Sequence, residues 1–147
     1  MQRFNLSLLS LCCLSFTATG NEWKFDDALA VHEERLEECT HILKHNQEPF
    51  PTTSWFSSLT TKQQKQVIGY IAFFNDEQCS KDTREKALEL TDHITEKSER
   101  NNMRELLSEY PIEYLIEDID KARVMEVRAM YKEPYLPLGV IEELGLE

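Results

Sequence analysis

Glu38, His41 and His45 are the residues in this chain whose types and spacing come nearest to a chemical site. Steps of three and four put one carboxylate and two imidazoles on one side of a helix, a set that suits a divalent ion such as zinc. Glu34 and Glu37 share that side, and a solvated charged face accounts for the same pattern, so no metal or other cofactor is expected. His32-Glu33 opens like a zinc-protease helix, but Leu36 occupies the place of the second histidine. Glu113, Glu117 and Asp120 also fall at helical spacing. General acid–base chemistry would require one of them in a cleft with a raised pKa. With 27 acidic residues in 147, such clusters arise without a role. Asp118 and Asp120 lack the glycine of a calcium loop. There is no GxSxG nucleophile elbow, and Gly69, Gly139 and Gly145 are too isolated for a phosphate-binding loop. The chain does not read as an enzyme.

Cysteine placement is more informative. Residues 1–20 carry Arg3, the apolar run LSLLSLCCLSF and the small-residue end Ala18-Thr19-Gly20, the pattern of a secretory signal peptide cut after Gly20. The run is shorter than the roughly 20 residues of a membrane span, and neither Cys12 nor Cys13 follows the small residue of a lipid-attachment motif. Residues 21–147 then form a single domain, exported to a periplasm or to the extracellular space. No stable membrane insertion is expected of it. Losing Arg3, the only charged residue of the leader, takes the net charge from −11 to −12. Such acidity disfavours nucleic acid and anionic lipid as partners. Cys39 and Cys79 are the only cysteines beyond the leader, and an oxidising compartment predicts a disulfide between them.

The elements that position these residues read as helices. Around Leu59–Ser80, Thr61 and Gln64 form a capping box, and VIGYIAFF over residues 67–74 is apolar on all sides, marking a central buried helix. Gly69 within it predicts a close helix–helix contact. Before it, Asp26 or Asp27 caps a helix to about His45, whose apolar face is Leu29, His32, Leu36, Cys39 and Leu43, with Trp23 and Phe25 as anchors. Ser54–Leu59 forms one turn that tucks in Trp55 and Phe56. After it, Ser80 or Asp82 starts a third helix to about Glu99, and Asn101-Asn102 breaks or recaps the chain. Pro111 opens a long helix to about Tyr131, although Val124–Tyr131 alternates well enough to be a strand. Pro134 and Pro137 end that helix and leave residues 132–147 as a tail. Glycine is sparse, at four residues. The class is all-α: a bundle of four to five helices with one disulfide.

The order of these features resembles two families. Gly69-Tyr70-Ile71 followed by Cys79, with Cys39 upstream, resembles the periplasmic immunity proteins that block type VI secretion amidase effectors. Their further cysteines and any counterpart of residues 111–147 are missing here. Size, charge and the cysteine pair resemble the acid-stress periplasmic chaperones. Both resemblances imply a small helical exported domain that works by binding, and neither assigns functional residues.

The aromatics point the same way. Trp55, Phe56, Tyr70, Phe73 and Phe74 read as core. Tyr131, Tyr135, Leu136 and Leu138, with the apolar tail Val140, Ile141 and Leu144, either pack back on the bundle or dock to another chain. The functional expectation is a non-enzymatic module that binds another protein, as an inhibitor or immunity-like factor, a chaperone or an envelope assembly factor. The alternative is a small-ligand or metal binder. Its mark would be a cavity lined by Phe73, Phe74 and Tyr114, or an ion at His41 and His45.

Overall fold

The computed structural model describes residues 24–146. The predicted leader, with Cys12 and Cys13, and Trp23 lie outside them. Six α-helices are present among the described residues: α1 (Phe25–His45), α2 (Ser54–Ser58), α3 (Thr61–Leu90), α4 (Lys97–Leu106), α5 (Lys121–Met130) and α6 (Pro137–Glu143). Two 3-10 turns, Thr91–His93 and Glu113–Ile116, join them, and no described residue is in a strand. The all-α expectation holds, with one helix more than foreseen.

The central helix is longer than its apolar run. Its capping box sits one residue earlier than predicted, with Thr60 Oγ1 accepting from the Gln63 backbone N–H and Gln63 Oε1 accepting from the Thr60 N–H. That frame leaves the Gln64 amide to donate to the Phe56 carbonyl at 3.1 Å, satisfying an acceptor at the end of α2. α3 then passes through Ser80 and Asp82 without a break, because neither glycine nor proline occurs between Gly69 and Leu90. Its 30 residues reach about 45 Å. The expected third helix is therefore the second half of α3. The interruption falls at Thr91, whose hydroxyl donates to the Leu88 carbonyl at 2.7 Å, and α4 runs straight through Asn101-Asn102.

α1 lies antiparallel along α3. It starts at Phe25, with the Lys24 N–H donating to Asp27 Oδ2, so Asp26 and Asp27 are first-turn residues rather than caps. Its buried stripe is Ala28, His32 and Cys39, while Leu36 is 44% exposed. Rotation about the helix axis is set by links to α3 rather than by leucine spacing. His32 Nδ1 lies 3.1 Å from Thr83 Oγ1, Arg35 Nε donates to the Cys79 carbonyl at 2.8 Å, and Cys39 is disulfide-bonded to Cys79 with Cα atoms 6.0 Å apart. Closing a loop of 40 residues restricts the unfolded chain by about 4 kcal/mol in the chain-entropy model.

Two apolar clusters flank this polar middle. The larger joins Val67, Ile68, Tyr70 and Ile71 of α3 to Phe50, Phe56, Ile116, Val124, Val127 and Tyr135; the smaller joins Ala28, Ala87 and Leu107. The helix expected from Pro111 to Tyr131 is divided by Asp120, whose carboxylate accepts from the N–H groups of Ala122 and Arg123 and so starts α5. Val124–Met130 is helical, not a strand, with Val124 and Val127 facing the core. Gly69 makes no close helix contact: a Cβ built there meets nothing within 4 Å. That expectation is corrected, since the residue faces open space.

Candidate functional site

Phe73, Asp76 and Glu77 stand at i, i+3 and i+4 on α3 and so share one stripe. Opposite them, the segment after α4 brings Tyr110, Pro111 and Ile112, and the second 3-10 turn brings Tyr114. Together they enclose a groove of about 520 Å³. Its three aromatics are open to solvent, with Phe73 54%, Tyr110 73% and Tyr114 63% exposed. The expectation that Phe73 belongs to the core is therefore corrected. α3 is apolar all round at this level, but the segment facing Phe73 stands off it and leaves a channel. Of the other aromatics read as core, Phe56 and Tyr70 are buried, and Trp55 and Phe74 are half-buried.

The walls of the groove are held from behind. The buried guanidinium of Arg84 pairs with Glu77 and, through Nη2 at 2.7 Å, with Glu109 Oε1. Glu109 immediately precedes Tyr110, so this clamp ties the far wall to α3. On the other side, Ile116 is buried in the larger core, with Ile112 packed against it. Glu113 accepts from the Ile112 N–H at 3.2 Å and from Lys121 Nζ at 3.3 Å, which steadies the turn that carries Tyr114.

Charge is unevenly satisfied within the groove. Arg84 pairs with Glu77, sharing its charge with Glu109. Asp76 has no ionic partner among the described residues, and burial alone pushes its carboxyl above the usual carboxylate value, although the residue stays exposed overall. A partly desolvated, unpaired carboxylate beside three aromatic faces can accept a cation, and the aromatics can cover apolar carbon.

The residues singled out from the sequence are distributed differently. Glu38 pairs with Arg35 at 2.7 Å, His45 Nδ1 donates to the His41 carbonyl at 2.8 Å, and the two imidazoles stack with centroids 4.2 Å apart. No group of three or more metal-binding side chains gathers among the described residues. Glu113 is held below the usual carboxylate range by hydrogen bonds from its own backbone N–H and from Lys121, the opposite of what a general acid needs. Asp120 is occupied as a helix cap.

The tail packs back. Tyr131, Tyr135 and Val140 are buried, and Ile141 and Leu144 pack against the larger core. The Tyr131 hydroxyl donates to the Glu48 carbonyl and that of Tyr135 to the Ile68 carbonyl, both at 2.7 Å, while burial raises both phenols above their ordinary pKa. Of the set named as a docking tail, Leu136 and Leu138 alone are exposed, at 51% and 71%.

Phe73 and Tyr114, two of the three residues named for a ligand cavity, do line the groove. Phe74 points elsewhere, beneath the guanidinium of Arg128 at 4.9 Å. Sequence reasoning missed Asp76, Tyr110 and Pro111. The available signal was the pair of tyrosines around Pro111, although Tyr110 also continues an apolar face with Met103, Leu106 and Leu107, of which Leu106 and Tyr110 are exposed.

No protein-family model matches the chain, and no curated protein or solved structure is significantly similar to it. The immunity-protein and chaperone resemblances thus rest on Gly69-Tyr70-Ile71, the two cysteines, size and charge alone.

Proposed function

We propose that this chain is an exported, non-enzymatic binding module whose groove beside α3 takes a segment of another protein. The observation that carries this reading is the exposure of Phe73, Tyr110 and Tyr114 around one groove whose walls are already fixed by the Arg84 clamp and by Ile116. Exposed aromatics of this kind favour association, and fixed walls lower the ordering cost of binding. The Cys39–Cys79 disulfide supports export, as does the leader pattern in the sequence. No helix among the described residues is long and apolar enough to cross a membrane. An inhibitor or immunity-like factor, a chaperone and an envelope assembly factor all fall within this reading.

A second reading, a small-ligand binder, is favoured by the groove volume of about 520 Å³, which lies within the range of ligand pockets. Co-purification separates the two. The tagged chain and its Tyr110→Ser/Tyr114→Ser variant are passed over extract of the native envelope or medium, and any retained protein is purified and titrated directly. One protein bound by the native chain and lost by the variant supports the module. Equal retention by both removes the groove from the interface. Retention of nothing, with a small apolar ligand shifting the groove resonances, favours the second reading.

A further inference from the structure

We infer that the segment seated in this groove presents an arginine, its guanidinium lying against the rings of Phe73, Tyr110 and Tyr114 and paired with Asp76. The inference rests on the protein-docking reading above and adds the chemistry of the occupant.

Asp76 decides the matter. Glu77, its neighbour in the groove, is already paired with the buried Arg84, so Asp76 is the groove carboxylate left without a cationic partner among the described residues. A wholly apolar occupant would strip the remaining water from Asp76 and offer nothing in return, which is costly for a charged group. An acidic occupant would meet like charge in a chain of net charge −11. A cation flanked by apolar carbon satisfies both parts of the site: the carboxylate gains a partner, and the rings cover the stem and the cationic face.

Arginine suits this geometry better than lysine. Its guanidinium is planar, stacks on aromatic faces and meets a carboxylate through two parallel N–H donors, whereas an ammonium is a compact and strongly hydrated point charge. The fold already contains one such stack, Arg128 over Phe74 with Cζ 4.9 Å from the ring centroid. The net charge of −11 also favours encounter with a basic segment.

The test uses the isotope-labelled chain and three blocked nonapeptides that differ only at the central residue of an otherwise uncharged, leucine-flanked sequence: arginine, lysine or citrulline. Citrulline keeps the shape of arginine without its charge. Amide shifts at Phe73, Asp76, Tyr110 and Tyr114 report binding at the groove. The arginine peptide is expected to bind about tenfold more tightly than the citrulline peptide, with lysine between them. Asp76→Asn should erase that difference while leaving the rest of the spectrum unchanged, since Asp76 supports no other described residue. Equal binding of arginine and citrulline peptides at the groove would overturn the inference and leave the docking reading intact. No shift at the groove with any peptide would overturn it as well, and a partner captured through Tyr110 and Tyr114 would then show that only the assigned occupant is wrong. Ethylguanidinium alone binding as tightly as the arginine peptide would also overturn it, by making a free cation the ligand.

Discussion

The side-chain amide of Asn75 donates to the backbone carbonyl of Tyr131 at 2.8 Å and to that of Glu133 at 3.2 Å. Its oxygen in turn accepts from Arg128 Nε at 3.1 Å. One buried side chain in α3 thereby satisfies the extended chain between α5 and α6, where no helix or sheet can supply partners. Asn46 adds a bond to the Pro134 carbonyl at 3.0 Å, and Tyr131 and Tyr135 meet edge to face at 4.8 Å, with Phe50 packed against both. The tail is a strap across the fold rather than a free arm.

Asn75→Ala leaves two carbonyls without their donor in a buried setting and is expected to cost about 2–3 kcal/mol. Urea unfolding monitored by tryptophan fluorescence measures this directly. A loss below about 0.5 kcal/mol, the usual size of a surface substitution, would mean that the strap is held by its aromatics and Asn46 instead.

Gly69→Ala is expected to stabilise the chain by about 0.5–1 kcal/mol, because α3 gains helix propensity and the new methyl meets no neighbour. Thermal unfolding should show a higher midpoint. A lower one would restore the close helix contact that the sequence pattern implies.

Arg84→Met keeps apolar volume but leaves Glu77 without its cation. Glu77 is only partly buried and Glu109 is exposed, so the expected loss is about 1–3 kcal/mol rather than that of a fully buried pair. The same variant should broaden or shift the Tyr110 and Tyr114 resonances, since Glu109 no longer anchors their segment. Unchanged tyrosine signals alongside lost stability would show that the groove wall is held by Ile112 and Ile116 instead.

His32 sets a pH dependence. Burial lowers its pKa, the nearby Arg84 lowers it further, and Glu33 opposes both. The unfolded chain therefore binds the proton at higher pH than the folded one. This contribution to stability is present above the ordinary histidine value of about 6.5 and is lost as pH falls through it toward the lower folded value. Asp76 acts in the opposite sense. Its folded pKa is raised, so the folded state takes up a proton first and gains stability as pH falls through that raised value. Denaturant midpoints at pH 7 and pH 5.5 should differ in the native chain and differ less in His32→Gln.

Much of the fold was legible because simple counting sufficed. Two cysteines beyond residues 1–20 admit one pair, and the dense apolar run at residues 67–74 marks a largely buried helix. Boundaries were less so, since Thr60 with Gln63 and Thr61 with Gln64 are equally good boxes, and the first leaves Gln64 free to bond the distant Phe56 carbonyl. The groove was not legible for a related reason. Whether Phe73 is covered depends on how closely the segment around Tyr110 passes α3. One tie across that gap is an ion pair between Arg84 and Glu109, 25 residues apart, which no local periodicity announces. Likewise, Tyr131 and Tyr135 look like a docking motif until Asn75, Glu48 and Ile68 provide their partners.

Site-specific photo-crosslinking tests the central claim most directly. A photoreactive side chain is placed at Tyr110 in the groove or, as a control, at the exposed Glu85 on α3, and the chain is irradiated in its native cells. The groove reading predicts a discrete crosslinked protein from position 110 that is absent from position 85. No protein crosslink at position 110, or the same products from both positions, would contradict it.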